Sequence, residues 1–128
     1  MATLVIGGAG FIGPRVIRRL VERGQKVVCM DINPSGTPFV GMEDNVKVVR
    51  GDVTQFEDVM RATIEAEPDR VINLSYIVGG GEVEPHSTMR INVLGMDNCF
   101  EAARLCGVNR VVYASSLAVS GLQTHFGD

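Results

Sequence analysis

Gly7-Gly8-Ala9-Gly10-Phe11-Ile12-Gly13 lies between two segments of different pattern. The apolar run Thr3-Leu4-Val5-Ile6 before it is typical of a β-strand, and the amphipathic segment after it is typical of a helix. Gly7, Gly10 and Gly13 carry no Cβ, so the backbone can turn sharply there and approach a ligand closely. Backbone N–H groups in such a turn, together with the positive end of the following helix, bind pyrophosphate. These residues therefore predict a pyrophosphate-binding turn.

The next apolar run, Lys26-Val27-Val28-Cys29-Met30, ends in Asp31. In a βαβ dinucleotide-binding unit, a carboxylate at the end of the second strand accepts hydrogen bonds from the adenosine ribose hydroxyls. A glycine triplet alone is weak evidence, but strand, glycine turn, helix, strand and terminal acid in this order are specific. They predict a nicotinamide dinucleotide site. Asp31 favours NAD over NADP because a carboxylate repels a 2′-phosphate.

Composition indicates the class of protein and excludes several partners. The 128 residues are enough for one domain, residues 1–128, with a buried core, and 45% of them are apolar. A net charge of -3 argues against a nucleic-acid partner, which needs a basic face. No apolar run is long enough to cross a membrane, and no signal peptide is visible, so we expect a cytoplasmic protein.

The first predicted helix carries four arginines: Arg15, Arg18, Arg19 and Arg23. We interpret them as a solvated helix surface rather than an anion-binding site.

Metal chemistry is not indicated by the cysteines or histidines. Cys29 falls in a predicted strand, Cys99 and Cys106 fall on one predicted helix, and no C-x-x-C is present. We expect buried, reduced thiols rather than a disulfide or a metal site. His86 and His125 lie in loop-like or helix-start positions and are only minor candidates for catalysis or metal binding.

Strands and helices alternate along the whole chain. Strands are predicted at residues 2–6, 26–30, 46–49, 70–74 and 110–114, and helices at 11–23, 55–66 and 85–106, the second opening with a Thr54–Glu57 capping box. Strands joined by crossovers form a parallel sheet, and right-handed connections favour the order 3-2-1-4-5. The chain is therefore predicted to be a doubly wound α/β domain of the Rossmann type. Its ligand crevice lies at the carboxyl ends of strands 1 and 4.

Apolar residues at helical spacing predict which helix faces are buried. In the first helix they are Ile12, Val16, Ile17, Leu20 and Val21, and in the second Phe56, Val59, Met60 and Ile64. The longest helix carries Met89, Val93, Met96 and Phe100 at the same spacing. Packing of this stripe into the core is favoured over its use as a surface between two copies of the chain.

Five segments occur in an order that is specific to one family. They are the glycine turn, Gly51-Asp52-Val53, Val71-Ile72-Asn73-Leu74-Ser75, Ile91-Asn92-Val93-Leu94-Gly95 and the run from Val111 to Gly121. Together they resemble the extended short-chain dehydrogenase/reductase superfamily, in its NAD-dependent epimerase/dehydratase branch that acts on nucleotide sugars. The resemblance spans nearly the whole chain. It implies NAD as the cofactor and a nucleotide sugar as the substrate.

The resemblance also implies roles for individual residues. The pyrophosphate is bordered by Gly7, Gly10, Phe11, Ile12 and Gly13, the adenosine ribose by Asp31 and Ile32, and the adenine by Asp52 and Val53. The nicotinamide side is formed by Leu74, Ser75 and Tyr76 with Asn92 behind them, and Ala114 and Ser115 complete the cofactor-binding set. Ser116 matches the catalytic serine or threonine, whose hydroxyl bonds the reacting sugar oxygen.

Several of these residues have a second interpretation from local chemistry. Asp52 can cap the turn before Thr54, and Asn92 can hydrogen-bond backbone inside its own helix. Ser115 and Ser116 can be ordinary hydroxyls at a strand end, although their place at the switch point favours a site. Among the departures from the family pattern, Tyr76 replaces a small residue and is expected to crowd the nicotinamide side. Met96 and Ser120, which replace threonine and tyrosine, are expected to alter packing more than chemistry.

The catalytic base of the family is missing from this sequence. Its Tyr-x-x-x-Lys pair lies a couple of dozen residues beyond the serine pair, but here the tyrosines are Tyr76 and Tyr113 and the lysines Lys26 and Lys47, in no such spacing. We therefore expect the NAD-binding part of a longer enzyme, truncated before the last strands and the substrate domain. An open edge on the fifth strand then predicts self-association, as a homodimer or otherwise. The alternative is an NAD(H)-binding module without catalysis, acting as a redox sensor or partner subunit.

Overall fold

The computed structural model describes residues 2–34, 36–77 and 84–121. The strands are β1 (Ala2–Ile6), β2 (Lys26–Asp31), β3 (Val46–Arg50), β4 (Arg70–Asn73) and β5 (Arg110–Tyr113). The helices are α1 (Gly13–Glu22), α2 (Phe56–Ala66), α3 (Pro85–Met89) and α4 (Gly95–Leu105), with a π segment (Arg90–Leu94) between α3 and α4. Short 3₁₀ turns cover Thr37–Phe39 and Leu117–Ser120.

The five strands form one parallel sheet in the order β3-β2-β1-β4-β5, which confirms the prediction. In the register, Ile6 at the end of β1 lies beside Met30 of β2 on one side and Asn73 of β4 on the other. The carboxyl ends of these strands therefore meet at one edge of the sheet. The residues that follow them are brought to that edge together.

Apolar cores lie on both faces of the sheet, as a doubly wound fold requires. One core includes Leu4 and Ile6 of β1 with Val59 of α2 and Ala102 of α4. The other is built from Val5, Ile17, Cys29 and Phe39, among others, beneath α1. Alternate residues of β1 point to opposite cores, so this central strand has no solvent-facing side.

Two predicted helix faces need correction. α1 begins at Gly13, so Ile12 precedes the helix and is 55% exposed. In α2 the buried residues are Val59, Ala62, Thr63 and Ala66, whereas Ile64 is exposed. The predicted capping box is also wrong. Gln55 is the N-cap of α2 and no side chain caps it, because the Thr54 hydroxyl donates to Asp52 instead.

The longest helix differs from the single run predicted for residues 85–106, because the π segment separates α3 from α4. The predicted core position of its apolar stripe is wrong. Met89 is 58% exposed, Val93 54% and Phe100 42%, and only Met96 is half-buried. This stripe lies on the surface of the described chain.

The three cysteines are free, but they do not share one environment. Cys29 and Cys99 are buried as predicted, and burial raises the pKa of each thiol to about 12. Cys106 is exposed, so the prediction of burial is wrong there. Among the helices of the described ranges, none combines the length and the apolar character needed to cross a bilayer.

Candidate cofactor site

A cleft of about 240 Å³ opens at the carboxyl edge of the sheet, where the strand order reverses. It brings together nine of the predicted site residues: Gly7, Gly10, Asp31, Ile32, Asp52, Val53, Leu74, Ser75 and Tyr76. Its other lining residues are Ile6, Met30, Gly51, Ile77 and Ile91. Apart from Ile91 of the π segment, these residues lie at or just beyond the ends of four different strands, which is the arrangement expected at a topological switch point.

Two glycines of the turn are required by close backbone approach. Gly7 has φ +74°, and a Cβ there would lie 2.8 Å from the backbone N of Ser75. A Cβ on Gly13 would lie 2.1 Å from the carbonyl oxygen of Gly8. Gly7 also donates its N–H to the Met30 carbonyl at 2.8 Å. The turn is therefore packed between β2 and the exit of β4, and it leads directly into the N-terminus of α1.

Phe11 and Ile12 occupy the outer rim of the turn rather than the cleft wall. Phe11 is 86% exposed and its ring lies under the guanidinium of Arg15, at 5.1 Å from the ring centroid. Arg15 also donates from Nη1 to the Phe11 carbonyl at 3.0 Å. This arginine therefore supports the rim.

Asp31 joins the glycine turn to the end of β2. Its Oδ2 accepts from the Ala9 N–H at 3.1 Å, and its Oδ1 accepts from the Asn33 N–H at 3.0 Å. A half-buried carboxylate with both oxygens on backbone N–H groups has a fixed orientation. The acid at the second strand end is therefore in place before any ligand arrives.

Asp52 caps the turn before Thr54, which is one of the two interpretations that the sequence left open. Its Oδ1 accepts from both the N–H and the hydroxyl of Thr54, each at 2.8 Å. Asp52 also lines the cleft beside Val53. Capping and a place in the cleft wall are thus compatible.

The exit of β4 is held by Asn73, a polar side chain that the sequence analysis did not assign to the site. Asn73 is 0% exposed, and its Oδ1 accepts from the Ser75 N–H at 3.0 Å. Its Nδ2 donates to the Met96 sulfur at 3.9 Å, and the Tyr76 hydroxyl donates to the same sulfur at 3.6 Å. Burial raises the pKa of Tyr76. This tyrosine is therefore a neutral wall of the cleft.

Asn92 bonds backbone, but outside its own helix. From the π segment its Oδ1 accepts from the Ile77 N–H at 2.8 Å, and its Nδ2 donates to the Ile77 carbonyl at 2.9 Å. The helix-internal interpretation is therefore wrong. Asn92 fixes the chain just beyond the Leu74–Tyr76 wall and does not itself line the cleft.

The predicted residues after β5 are not among those that line this cleft. Ala114, Ser115 and Ser116 follow the end of β5 and are exposed. Of the two histidines, His86 is exposed in α3, and His125 lies outside the described residues. Within residues 2–34, 36–77 and 84–121, no group of His, Cys, Asp and Glu side chains is placed to hold a metal ion.

The cleft has the features that a dinucleotide needs: a glycine turn, a helix N-terminus and an acid at the second strand end. The sequence profile of the NAD dependent epimerase/dehydratase family matches residues 3–127. The chain belongs to this family. NAD is accordingly its cofactor, and the residues of the cleft fit that group.

The curated proteins that resemble this chain carry the names of different enzymes. The chain is 36% identical to a 3-beta-hydroxysteroid dehydrogenase of Mycolicibacterium neoaurum and 34% identical to a UDP-glucose 4-epimerase of Mycolicibacterium smegmatis, in each case over 91% of this chain. It covers 32% and 39% of those proteins, so it spans about a third of their length.

The solved structures that resemble it include NAD complexes. UDP-glucose 4-epimerase of Thermus thermophilus with NAD matches 91% of this chain at 33% identity and a TM-score of 0.77. The enzyme of Brucella ovis with NAD matches 94% at 27% identity and a TM-score of 0.83. The chain covers 38% and 37% of these two structures. The shared part is the NAD-binding fold.

Proposed function

We propose that this chain is the NAD(H)-binding portion of an epimerase/dehydratase-like enzyme that acts on a nucleotide sugar by hydride transfer to and from the nicotinamide. The observation that carries the proposal is the preformed cleft, in which Asp31 and the glycine turn are already hydrogen-bonded to each other. The nucleotide-sugar class is supported by the UDP-glucose 4-epimerases among the similar structures, one of them a complex with both NAD+ and UDP.

In this proposal the cleft residues divide along the cofactor. The glycine turn from Gly7 to Gly13, with Phe11 and Ile12 at its rim, holds the pyrophosphate through backbone N–H groups. Asp31 and Ile32 hold the adenosine ribose, and Asp52 and Val53 flank the adenine. Leu74, Ser75 and Tyr76 form the nicotinamide side, supported by Asn92.

Bound NAD supplies the acceptor for the hydride of a secondary alcohol carbon. Ser116, following Ala114 and Ser115 at the end of β5, donates its hydroxyl to the reacting sugar oxygen. The group that accepts the alcohol proton is not a Tyr-x-x-x-Lys pair of these 128 residues, because the sequence has none. Catalysis therefore needs a base from elsewhere.

A non-catalytic NAD(H)-binding module is the second candidate, favoured by the same missing pair. Reading the gene past the codon for Asp128, with an intact mass of the native protein, separates the two. A frame that continues into a Tyr-x-x-x-Lys helix supports the enzyme. A stop codon with a matching mass contradicts it and supports a redox sensor or partner subunit.

The chain is expected to prefer NAD(H) to NADP(H). A 2′-phosphate placed at the Asp31 carboxylate meets like charge, and the neighbouring Ile32 and Asn33 supply no arginine to offset it. Calorimetric titration with both cofactors measures the preference. Equal or tighter binding of NADP(H) would contradict it. The residue to test next for binding of the 2′-phosphate would then be Arg50, which lies opposite Asp31 in the register of β2 and β3.

Replacing Asp31 with alanine is expected to weaken NAD(H) binding by about 1–3 kcal/mol, through loss of hydrogen bonds to the ribose and to the Ala9 N–H. The matched control is Asp44→Ala, an exposed acid next to the amino end of β3, at the opposite edge of the sheet. The control should bind NAD(H) like the parent chain. A loss of equal size in both variants would refute the role of Asp31.

We also propose that the chain self-associates as a homodimer or larger species. Among the described strands β5 is an edge strand with Val112 45% and Tyr113 52% exposed, and Phe100 packs edge-on against Tyr113 at 5.5 Å. Met89 and Val93 are also exposed. An unpaired strand edge and exposed apolar side chains favour association between proteins. Sedimentation at micromolar concentration should show a dimer or larger. A clean monomer that leaves apolar dyes unbound would overturn the proposal.

The proposed partners are thus a nucleotide sugar and a second copy of the chain, with no nucleic acid or membrane. A net charge of -3 disfavours a phosphate backbone. We further propose a cytoplasmic location, supported by three cysteines that are free in the described fold.

A further inference from the structure

We propose that Asn98 is a positioning residue for the adenosine half of NAD, acting through the turn Gly51–Val53. The inference rests on the proposed placement of adenine beside Asp52 and Val53. Asn98 is outside the cleft lining, and its side chain reaches the back of the turn from α4. Its amide Nδ2 donates to the Val53 carbonyl at 2.9 Å, and the side chain is buried, with 6% of the residue exposed.

The contact between α4 and this turn is close. A Cβ on Gly95 would lie 2.8 Å from Cγ1 of Val53, so the first residue of α4 lies directly against the Val53 side chain. Val53 is itself only 5% exposed while forming part of the cleft wall. The position of this wall is therefore set by α4, and a shift of either element moves the surface that faces the ligand.

A second, more exposed group holds the same turn from α2. Asp58 Oδ2 accepts from the Asp52 N–H at 2.9 Å, and Asp58 Oδ1 accepts from Arg61 at 2.8 Å. Arg61 also donates to the Arg50 carbonyl at 3.2 Å. The turn is thus held from two helices. The Asn98 bond is the buried one, so water does not compete for it.

The other wall of the cleft is held from the same helical run. Asn92 in the π segment bonds both backbone groups of Ile77, beyond the nicotinamide side. Asn98 in α4 bonds Val53, on the adenosine side. Two asparagines of adjoining helical segments therefore support opposite ends of the cleft, and their loss should affect opposite ends of the cofactor.

The expected size of the effect follows from the population of the binding-competent turn. An apparent dissociation constant equals the intrinsic one divided by the fraction of molecules in the competent state. If loss of the Asn98 bond leaves about a tenth of the molecules with the turn in place, affinity falls about tenfold. That loss applies to any ligand that needs the turn, whether or not it carries nicotinamide.

The experiment compares NAD+ with ADP-ribose, which lacks the nicotinamide, by calorimetry on the 128-residue chain. Asn98→Ala should weaken both ligands by the same factor of about ten. Asn92→Ala should weaken NAD+ more than ADP-ribose. Asp58→Ala, a change at the surface that leaves the core intact, should weaken both ligands in parallel by a smaller factor. Ala103→Gly, which destabilises α4 away from the cleft, should lower the melting temperature and leave both affinities unchanged.

Three results would overturn the inference. The first is that a folded Asn98→Ala variant binds ADP-ribose as tightly as the parent chain. The second is that an Asn98→Asp variant does so, since aspartate keeps the size of the side chain but cannot donate the hydrogen bond to Val53. If neither Asn98 variant folds, unchanged ADP-ribose binding by Asp58→Ala overturns it instead. The Asp31→Ala variant separates rejection of the Asn98 positioning role from rejection of the proposed NAD-binding cleft. Weak binding by Asp31→Ala with normal binding by Asn98→Ala rejects only the positioning role, whereas no NAD+ binding by the parent chain rejects the cleft.

Discussion

A polypeptide of these 128 residues is expected to turn over no nucleotide sugar, although it binds NAD. General-base loss typically costs about 10²–10⁴ in rate, and no tyrosine here has a lysine at the family spacing. The structure strengthens this expectation for Tyr76. Its hydroxyl is bonded to the Met96 sulfur, and burial raises its pKa, so the phenolate is disfavoured at neutral pH.

The two lysines are also engaged away from the cleft. Lys26 donates to the Asp44 carbonyl at the amino ends of β2 and β3, and Lys47 pairs with Glu65 of α2. Neither is placed to lower the pKa of a tyrosine at the carboxyl edge. The measurement is NADH formation and epimer production from UDP-sugars, with an intact UDP-glucose 4-epimerase as the positive control. Robust activity of the purified chain would contradict the account and make His86 the first base to test.

Replacing Gly13 with alanine is expected to abolish measurable NAD binding. The added Cβ would lie 2.1 Å from the Gly8 carbonyl oxygen and 2.4 Å from its carbon, and both are backbone atoms that cannot move aside alone. Relief of this overlap requires the turn to open, which costs about 1–3 kcal/mol in the free energy of unfolding. Opening also displaces the backbone N–H groups that we propose bind the pyrophosphate.

The matched control for this variant is Gly36→Ala. Gly36 has φ -76°, and nothing lies within 4 Å of an added Cβ. This replacement should leave NAD affinity unchanged and change stability by less than about 1 kcal/mol. Chemical denaturation and calorimetry on both variants give the two quantities. Parent-like NAD affinity in Gly13→Ala would show that the turn does not hold the pyrophosphate.

The sheet could be predicted from sequence because its signals are local and repeated. Each strand is an apolar run that ends at a turn residue, and the handedness of crossovers then allows few strand orders. The position of Asp31 followed in the same way, since it directly ends β2. Nine predicted cofactor residues therefore line one cleft in the structure.

The errors arise where a side chain meets a partner distant in sequence. Asn92 bonds Ile77 and Asn98 bonds Val53, and neither partner has a sequence signal, because any residue offers the same backbone groups. The prediction that the apolar stripe of the longest helix is buried was wrong for a related reason. Helical periodicity predicts a shared face for Met89 and Phe100 but does not show what that face contacts. The π segment between them also changes the helical phase on which that prediction rests.

The predicted capping box does not form because another acceptor competes locally for the Thr54 hydroxyl. Thr54 satisfies a capping pattern with Glu57, but the Asp52 carboxylate two residues earlier accepts both its N–H and its hydroxyl. Asx-type turns of this kind compete with helix caps for the same hydroxyl group.

The most direct test of the central claim is a crystal structure of this chain with NAD+. The account predicts the adenosine ribose hydroxyls within hydrogen-bond distance of Asp31, the pyrophosphate over the backbone N–H groups between Gly7 and Gly13, and the nicotinamide towards Leu74–Tyr76. NAD+ bound elsewhere, such as along the apolar groove of α2 lined by Phe56, Met60 and Ile64, or in the cleft with its two ends reversed, would contradict it.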